Sequence, residues 1–303
     1  MKKNKILVGT RASKLAMIYA NLAKNEISKV FSGEIQLVEI KTEGDQNQKD
    51  RLSDIGGKGL FSKKIEEELF NKKIDIAVHA LKDLPTQDTY GLVTNCFLKR
   101  NFPEEILISN NNKKFSELNP NSIVGTSSFR REFQFKRMRS DLIYKIIRGN
   151  VDTRISKLIE KKFDAIILSK AGINSLKLSH LISQEFSTEE VTPSAGQGII
   201  SIQCREDDKD IIDLLSKVNN ETSFISAKSE RKVLRILEGD CYTPVGVFAR
   251  VNNNNLTITG ELFSIDGKKR YFKQITDSIS NYLKASEELG YHLKKEAKDS
   301  YKK

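Results

Sequence analysis

The sequence predicts an α/β protein: two domains with mainly parallel sheets, followed by a small α+β C-terminal domain. Three observations lead there. Apolar runs of strand length alternate with stretches whose apolar residues stand three and four apart, the pattern of parallel sheets covered on both faces. The junction Val8-Gly9-Thr10 recurs as Val124-Gly125-Thr126, and each half later carries a strand opened by an aspartate, Asp75-Ile-Ala-Val and Asp164-Ala-Ile-Ile-Leu. Beyond about Asn219 the alternation gives way to a basic helix and hairpin-linked strands.

Lys5 to Val8 reads as a strand and Gly9 to Ser13 as a turn. Leu15, Ile18 and Leu22, with Tyr19 and Ala23, form the apolar stripe of a helix. A second strand spans Ile35 to Ile40. The polar loop after it predicts a mobile segment over Asp45 to Gly57. Gly56-Gly-Lys-Gly59 opens a helix with Phe61, Ile65 and Leu69 four apart. Its spacing is not that of a phosphate loop and supports only an anion-receptive helix start. Ile74, Ile76 and Val78, with Ala77 and Ala80, read as a strand covered on both faces, which Pro85 cannot continue. Lys82 and Asp83 therefore fall at a strand's carboxyl end, where ligands bind in open α/β sheets, and Asp83 is the first candidate for chemistry.

A strand at Leu92 to Leu98 closes the first copy of the pattern. The second copy is rich in anion-binding parts: Thr126, Ser127 and Ser128, then Arg130 and Arg131, then Arg148 and Arg154. Hydroxyls and free amides at a helix start favour negative charge, and an arginine fork suits a carboxylate or phosphate. Asn150 is the expected N-cap of a helix carrying Val151, Ile155, Leu158 and Ile159. Pro193 to Gly198, containing Gln197, reads as a crossing between domains, followed by a strand from Ile199 to Cys204. A helix over Ser226 to Leu237 then leads into the loop Gly239 to Pro244. Strands at Val245 to Val251 and Leu256 to Phe263, an Asp266-Gly267 turn, a strand to Ile275 and a closing helix complete the chain. The expected division is 1–98 with 199–218, then 99–198, then 219–303.

Lysine and arginine number 51 against 40 acids, a formal charge of +11 that permits nucleic acid, an anionic membrane or an acidic small molecule as partner. Lysine patches such as Lys161-Lys162, Lys268-Lys269 and the tail from Lys294 to Lys303 read as solvated surface. No apolar run reaches the roughly 18 residues of a membrane span, and Arg11 and Lys14 interrupt the apolar start, so a cytoplasmic protein is expected. The three cysteines lack metal-ligand spacing and even pairing. Cys96 and Cys204 sit in apolar strands and read as packing residues. Cys241 lies in a glycine- and proline-bounded loop behind a basic helix, a setting that exposes and stabilises a thiolate.

Taken in order, Gly9-Thr-Arg-Ala-Ser13, Gly56-Gly-Lys-Gly-Leu-Phe61, Val78-His-Ala-Leu-Lys-Asp-Leu-Pro85, Val124-Gly-Thr-Ser-Ser-Phe-Arg-Arg131, Arg148-Gly-Asn150, Gln197-Gly198 and Leu237-Glu-Gly-Asp-Cys241 make the chain resemble the porphobilinogen deaminase (hydroxymethylbilane synthase) family along nearly its whole length. The resemblance implies two domains of periplasmic-binding-protein type II design plus a third. It also implies a transferase that joins four porphobilinogens head to tail with loss of ammonia, in tetrapyrrole and haem biosynthesis. By it, Cys241 carries a dipyrromethane primer through a thioether and Asp83 is the catalytic carboxylate. Lys82, Thr126, Ser127, Ser128, Arg130, Arg131, Arg148 and Gln197 would hold the cofactor, and Arg11, Ser13, Arg148 and Arg154 the substrate. No metal, nucleic acid or membrane partner is expected, and the expected state is a monomer.

Four positions depart from the family pattern: Asp54, Ala80 (serine is usual), Ser175 (an arginine is common) and Asp240. Two other classes compete with the enzyme. A solute-binding protein of the same two-domain design has no use for Cys241. A nucleic-acid-binding protein would suit the charge, but no recognition motif and no tryptophan accompany it.

Overall fold

The computed structural model describes residues 3–42, 59, 62–239 and 243–302. In chain order the first part carries β1 (Lys5–Arg11), α1 (Lys14–Ile27), β2 (Glu34–Ile40), α2 (Lys63–Phe70), β3 (Ile76–Ala80) and β4 (Leu92–Phe97). Next come β5 (Glu105–Ser109), β6 (Ile123–Gly125), α3 (Phe129–Met138), β7 (Ile143–Lys145), α4 (Val151–Ile159), β8 (Ala165–Ser169), α5 (Lys170–Ser175) and β9 (Gln184–Phe186). β10 (Ile200–Arg205), α6 (Lys209–Ser216), α7 (Glu221–Ile236), β11 (Val245–Asn252), β12 (Asn255–Phe263), β13 (Arg270–Ser278) and α8 (Tyr282–Ala297) complete it. Among the described residues no helix is long and apolar enough to cross a membrane.

The strands form three sheets, ordered β2-β1-β3-β10-β4, β7-β6-β8-β5-β9 and β11-β12-β13. In the first sheet β1 pairs in parallel with β2 and β3, while β10 is antiparallel to β3 and β4. The second repeats this, with β5 as its one reversed strand between β8 and β9. "Mainly parallel" therefore becomes four strands one way and one against. Each reversed strand enters its sheet directly after the chain has crossed from the other lobe. That reciprocal exchange gives the two lobes the same design, with the strand order and the single reversed strand repeated.

The repeated Val-Gly-Thr junction has a steric cause. A Cβ on Gly9 would stand 2.3 Å from Ile74 Cδ1, and one on Gly125 would stand 3.0 Å from Phe163 Cδ1, so in both lobes a strand end packs too closely for a side chain. Thr10 and Thr126 follow, both buried. β5 has no counterpart among the expected strands: its five residues are all buried and show neither strand alternation nor helical period. Asn150 is the N-cap residue of α4, as expected, although its side chain makes no capping hydrogen bond.

In the third sheet β11, β12 and β13 form an antiparallel meander packed against α7 and α8. Helix α7 starts at Glu221, five residues before the expected Ser226, because Asn220 caps it by accepting from Ser223 N–H at 3.0 Å. The chain's lysine-rich end is not simply solvated. Tyr301 is buried and donates to Leu237 O at 3.1 Å, while Lys294 and Lys302 reach Glu238 at 2.6 and 3.1 Å.

Candidate active site

β3 ends in a single 3-10 turn over Leu81–Asp83. Leu81 and Leu84 are buried and pin the turn, which leaves Lys82 and Asp83 exposed between them. The crossing segment packs directly on this turn: Gly196 has φ +75, and a Cβ there would lie 2.7 Å from Leu81 Cγ. On the far side Arg231 donates to Pro85 O at 2.5 Å and Arg235 to Thr86 O at 3.2 Å, so α7 grips the chain just after the acid. Asp83 thus stands on a turn held from both directions.

A small open pocket of about 50 Å³ adjoins Asp83, lined by Arg11, Ser13, Tyr19, Ser62, His79 and Ala80 among others. Ser13 caps α1 by accepting from Ala16 N–H at 3.3 Å. Burial, aided by the charge of Arg11 and opposed by a bond to Gln203, pushes His79 down to about 4, so it is a neutral group at physiological pH. Burial and then the charge of Asp83 push the Tyr19 phenol up to about 12, while the Ser175 hydroxyl acts the other way. Ser175 belongs to α5, which packs on α1 and so brings the two lobes together beside this pocket.

The second lobe supplies the cations. Ser128 caps α3, accepting from Arg131 N–H at 3.4 Å; Thr126 Oγ1 accepts from Ser128 N–H at 3.3 Å; and Ser127 Oγ donates to Ile147 O. All three hydroxyls therefore shape the turn that aims the arginines. Arg130 is buried and its fork is taken by protein, with Nη1 on Gln134 Oε1 and Thr192 O (both 2.9 Å) and Nη2 on Glu105 Oε1 (2.5 Å). Arg131 pairs with the other oxygen of Glu105 at 2.8 Å and donates to Ile167 O at 3.3 Å. Its Nε is buried and has no hydrogen-bond partner among the described residues.

Arg154 donates to Gly149 O at 2.9 Å. Burial and then the charges of Arg131 and Arg148 push it down to about 10, against the pull of Asp83. Lys82 does not pair with Asp83; its ammonium donates to Gln197 Oε1 at 3.2 Å and reaches Ser169 Oγ at 3.5 Å, across the cleft. Desolvation and then Arg131 move its pKa down, to about 8.

Cys241, Asp54, Asp240, Gly56 to Lys58 and the Asp45 to Gly57 loop lie outside the described residues. Cys96 and Cys204 are buried, and burial pushes each thiol up to about 12, which suits packing residues. Sequence reasoning missed Glu105, Arg100 and Glu230. Arg100 makes a two-pronged pair with fully buried Glu230 (2.7 and 2.8 Å), which also accepts from Gly196 N–H and Ala249 N–H. The only local signal was an acid pair, Glu104-Glu105, set against Pro103 at the start of an apolar run.

Fold and cleft together define a two-lobed α/β protein with buried arginines in one lobe and an exposed acid at a strand end of the other. The profile of the family described as "Porphobilinogen deaminase, dipyromethane cofactor binding domain" matches residues 6–213, and "Porphobilinogen deaminase, C-terminal domain" matches 224–299. Proteins named porphobilinogen deaminase are similar along almost the entire chain. That of Geobacter metallireducens is 39% identical over 97% of this chain and 91% of its own, that of Lysinibacillus sphaericus 41% over 96% and 94%, and that of a Drosophila simulans Wolbachia 40% over 95% and 98%. Among solved structures, the arginine-specific periplasmic binding protein STM4351 of Salmonella typhimurium overlaps 71% of this chain and 91% of its own at TM-score 0.41 and 13% identity. The chain belongs to the porphobilinogen deaminase family.

Proposed function

We propose that this chain joins four porphobilinogens head to tail into hydroxymethylbilane, releasing one ammonia per unit and adding water at the end, with Asp83 as the acid. The observation that carries the assignment is the placing of Asp83 at the end of β3, exposed beside the pocket lined by Arg11 and Ser13 and within electrostatic reach of Arg154. Each porphobilinogen carries two carboxylates, so elongation needs many cations around one acid. Asp83 gives a proton to the aminomethyl nitrogen, the carbon–nitrogen bond breaks with its electron pair going to the leaving ammonia, and the resulting carboxylate faces the cation left behind. Arg11 and Ser13 on the pocket wall, with Arg148 and Arg154 opposite, orient the incoming unit.

The family's dipyrromethane fits the residues present. Its carboxylates match Lys82, Arg131 and Arg148, on a turn shaped by Thr126, Ser127 and Ser128 and backed by Gln197 and Arg130, and the buried, unpartnered Arg131 Nε asks for an acceptor. When bound, it supplies the electron-rich pyrrole carbon to which the next unit is joined. Cys241 is the proposed attachment, supported by the burial of the other two thiols. The same reading divides the chain into 1–98 with 199–218, 99–198 and 219–303, supported by the three sheets.

Intact mass and turnover test it together. The parent protein, incubated with porphobilinogen, should carry a dipyrromethane-sized adduct and release hydroxymethylbilane. Cys241→Ser should show neither, whereas Cys96→Ser keeps the adduct. An adduct that survives Cys241→Ser would overturn the attachment, and failure of the parent to consume porphobilinogen would overturn the activity.

A further inference from the structure

Glu105 opens β5 with its carboxylate fully buried, and the groups around it come from three parts of the fold. Oε1 accepts from Arg130 Nη2 at 2.5 Å and from Gln197 Nε2 at 3.1 Å, and Oε2 pairs with Arg131 Nη2 at 2.8 Å. Gln197 in turn accepts from Lys82 Nζ at 3.2 Å, next to the acid. In the other direction Arg130 donates to Gln134, whose Nε2 reaches Glu261 Oε2 on β12 at 2.6 Å. One buried carboxylate thus joins a chain of hydrogen bonds running from the third sheet to the catalytic turn.

Two adjacent arginines on a helix point about 100° apart and would not share a task unaided. Resting on the cleft assignment above, we propose that Glu105 is a positioning residue that gives them different tasks. It ties Arg130 into the bridge to the C-terminal domain, and it holds Arg131 by one nitrogen so that the remaining edge of the guanidinium faces a ligand carboxylate. Both arginines are buried, so without this anion two adjacent cations would repel and turn away from the cleft. Burial pushes the carboxyl up, but Arg131 and Arg130 more than offset this and bring it down to about 2, so the anion is present at every working pH.

The test uses full-length Glu105→Gln, Glu105→Asp and Arg131→Leu, each read by thermal melting, adduct occupancy from intact mass, and kcat and KM for porphobilinogen. The glutamine variant keeps the size and loses the charge. Folded Glu105→Gln should lose at least about tenfold in adduct occupancy or kcat/KM, the scale of one charge-assisted bond. Glu105→Asp, which keeps the anion one methylene back, should recover at least about threefold of that loss, a rescue that a packing role would not give. Folded Glu105→Gln with full occupancy and kcat/KM within twofold of parent overturns the inference. If that variant does not fold, the aspartate variant decides: parent kinetics overturns the proposal, and a loss at unchanged melting supports it. Arg131→Leu separates the two levels. If it loads and elongates like the parent, the assignment of Arg131 fails and this inference with it; if it is impaired while Glu105→Gln is not, only the inference fails.

Discussion

Replacing Asp83 by asparagine is the sharpest probe of the mechanism, because it keeps the shape and removes both the charge and the transferable proton. Asp83 is exposed on a turn pinned by buried Leu81 and Leu84, so folding should change by no more than about 0.5 kcal/mol, and melting by about 1–2 °C in a chain of this size. Catalysis should change far more. General acid catalysis is worth about 10²- to 10⁴-fold, or roughly 2.7–5.5 kcal/mol of barrier. Asp83 also offsets the cations around Arg154, so its removal leaves the cleft more positive and should not weaken the hold on substrate carboxylates. The expected result is a fall in kcat of at least about a hundredfold with KM unchanged or lower. Stopped-flow or discontinuous assay of hydroxymethylbilane, at several porphobilinogen concentrations, gives both constants. Asp83→Glu, with its carboxylate displaced by one methylene, should keep a small rate. A variant that turns over within a few-fold of parent, or whose whole loss lies in KM, would refute the acid role and leave Asp83 a structural turn residue.

Two further outcomes concern the scaffold. Arg100→Met leaves Glu230 buried without its cation; breaking such a pair costs about 3–5 kcal/mol, partly offset here by the Gly196 and Ala249 amides, and melting should fall by at least about 6 °C. A calorimetric shift under about 2 °C would show that the amides alone satisfy Glu230. Glu105 has its folded pKa lowered to about 2 from 4.5, so its stabilisation is complete above about pH 4.5 and is lost as pH falls toward 2. Parent melting should therefore drop through that window by more than Glu105→Gln melting does; equal slopes would place the acid sensitivity elsewhere.

How much of this was legible in the sequence depended on distance along the chain. The strand, turn and helix at each lobe's start were readable because Val8-Gly9-Thr10 and Val124-Gly125-Thr126 state their geometry within a few residues. Asp83 was readable because an apolar strand ended in charge and proline without a spacer. Glu105 was not, since its partners lie 25 and 92 positions away, and neither was the pair of Arg100 with Glu230, 130 positions apart. The arginine cluster was visible as composition, but the difference between Arg130 and Arg131 exists only once β5 is inserted between β8 and β9. Ser127 and Ser128 read in the sequence as anion-binding hydroxyls, whereas in the fold Ser127 donates to Ile147 O and Ser128 accepts from Arg131 N–H. The sequence could not say that their hydroxyls build the turn.

The third sheet's helix explains why a small C-terminal domain accompanies a two-lobed cleft. On α7, Glu230 holds Arg100 on one crossing segment and Gly196 on the other, together with Ala249 on β11. At the next position and a turn beyond it, Arg231 and Arg235 hold the carbonyls of Pro85 and Thr86, just past the acid. The helix then ends at Ile236, and Glu238 beyond it is fixed by Lys294 and Lys302, three positions before Cys241 in the sequence. Burial silences the charge cost at Glu230 only because every lone pair there meets a donor, so this junction resists being remade one contact at a time. The turn bearing the acid and the chain just past Ile236 are therefore fastened to the same helix, where residues stand about 1.5 Å apart per position along the axis. On the other side of Asp83 the joint is lighter, because Lys82 reaches Gln197 and Ser169 through hydrogen bonds of 3.2 and 3.5 Å rather than through a buried ion pair.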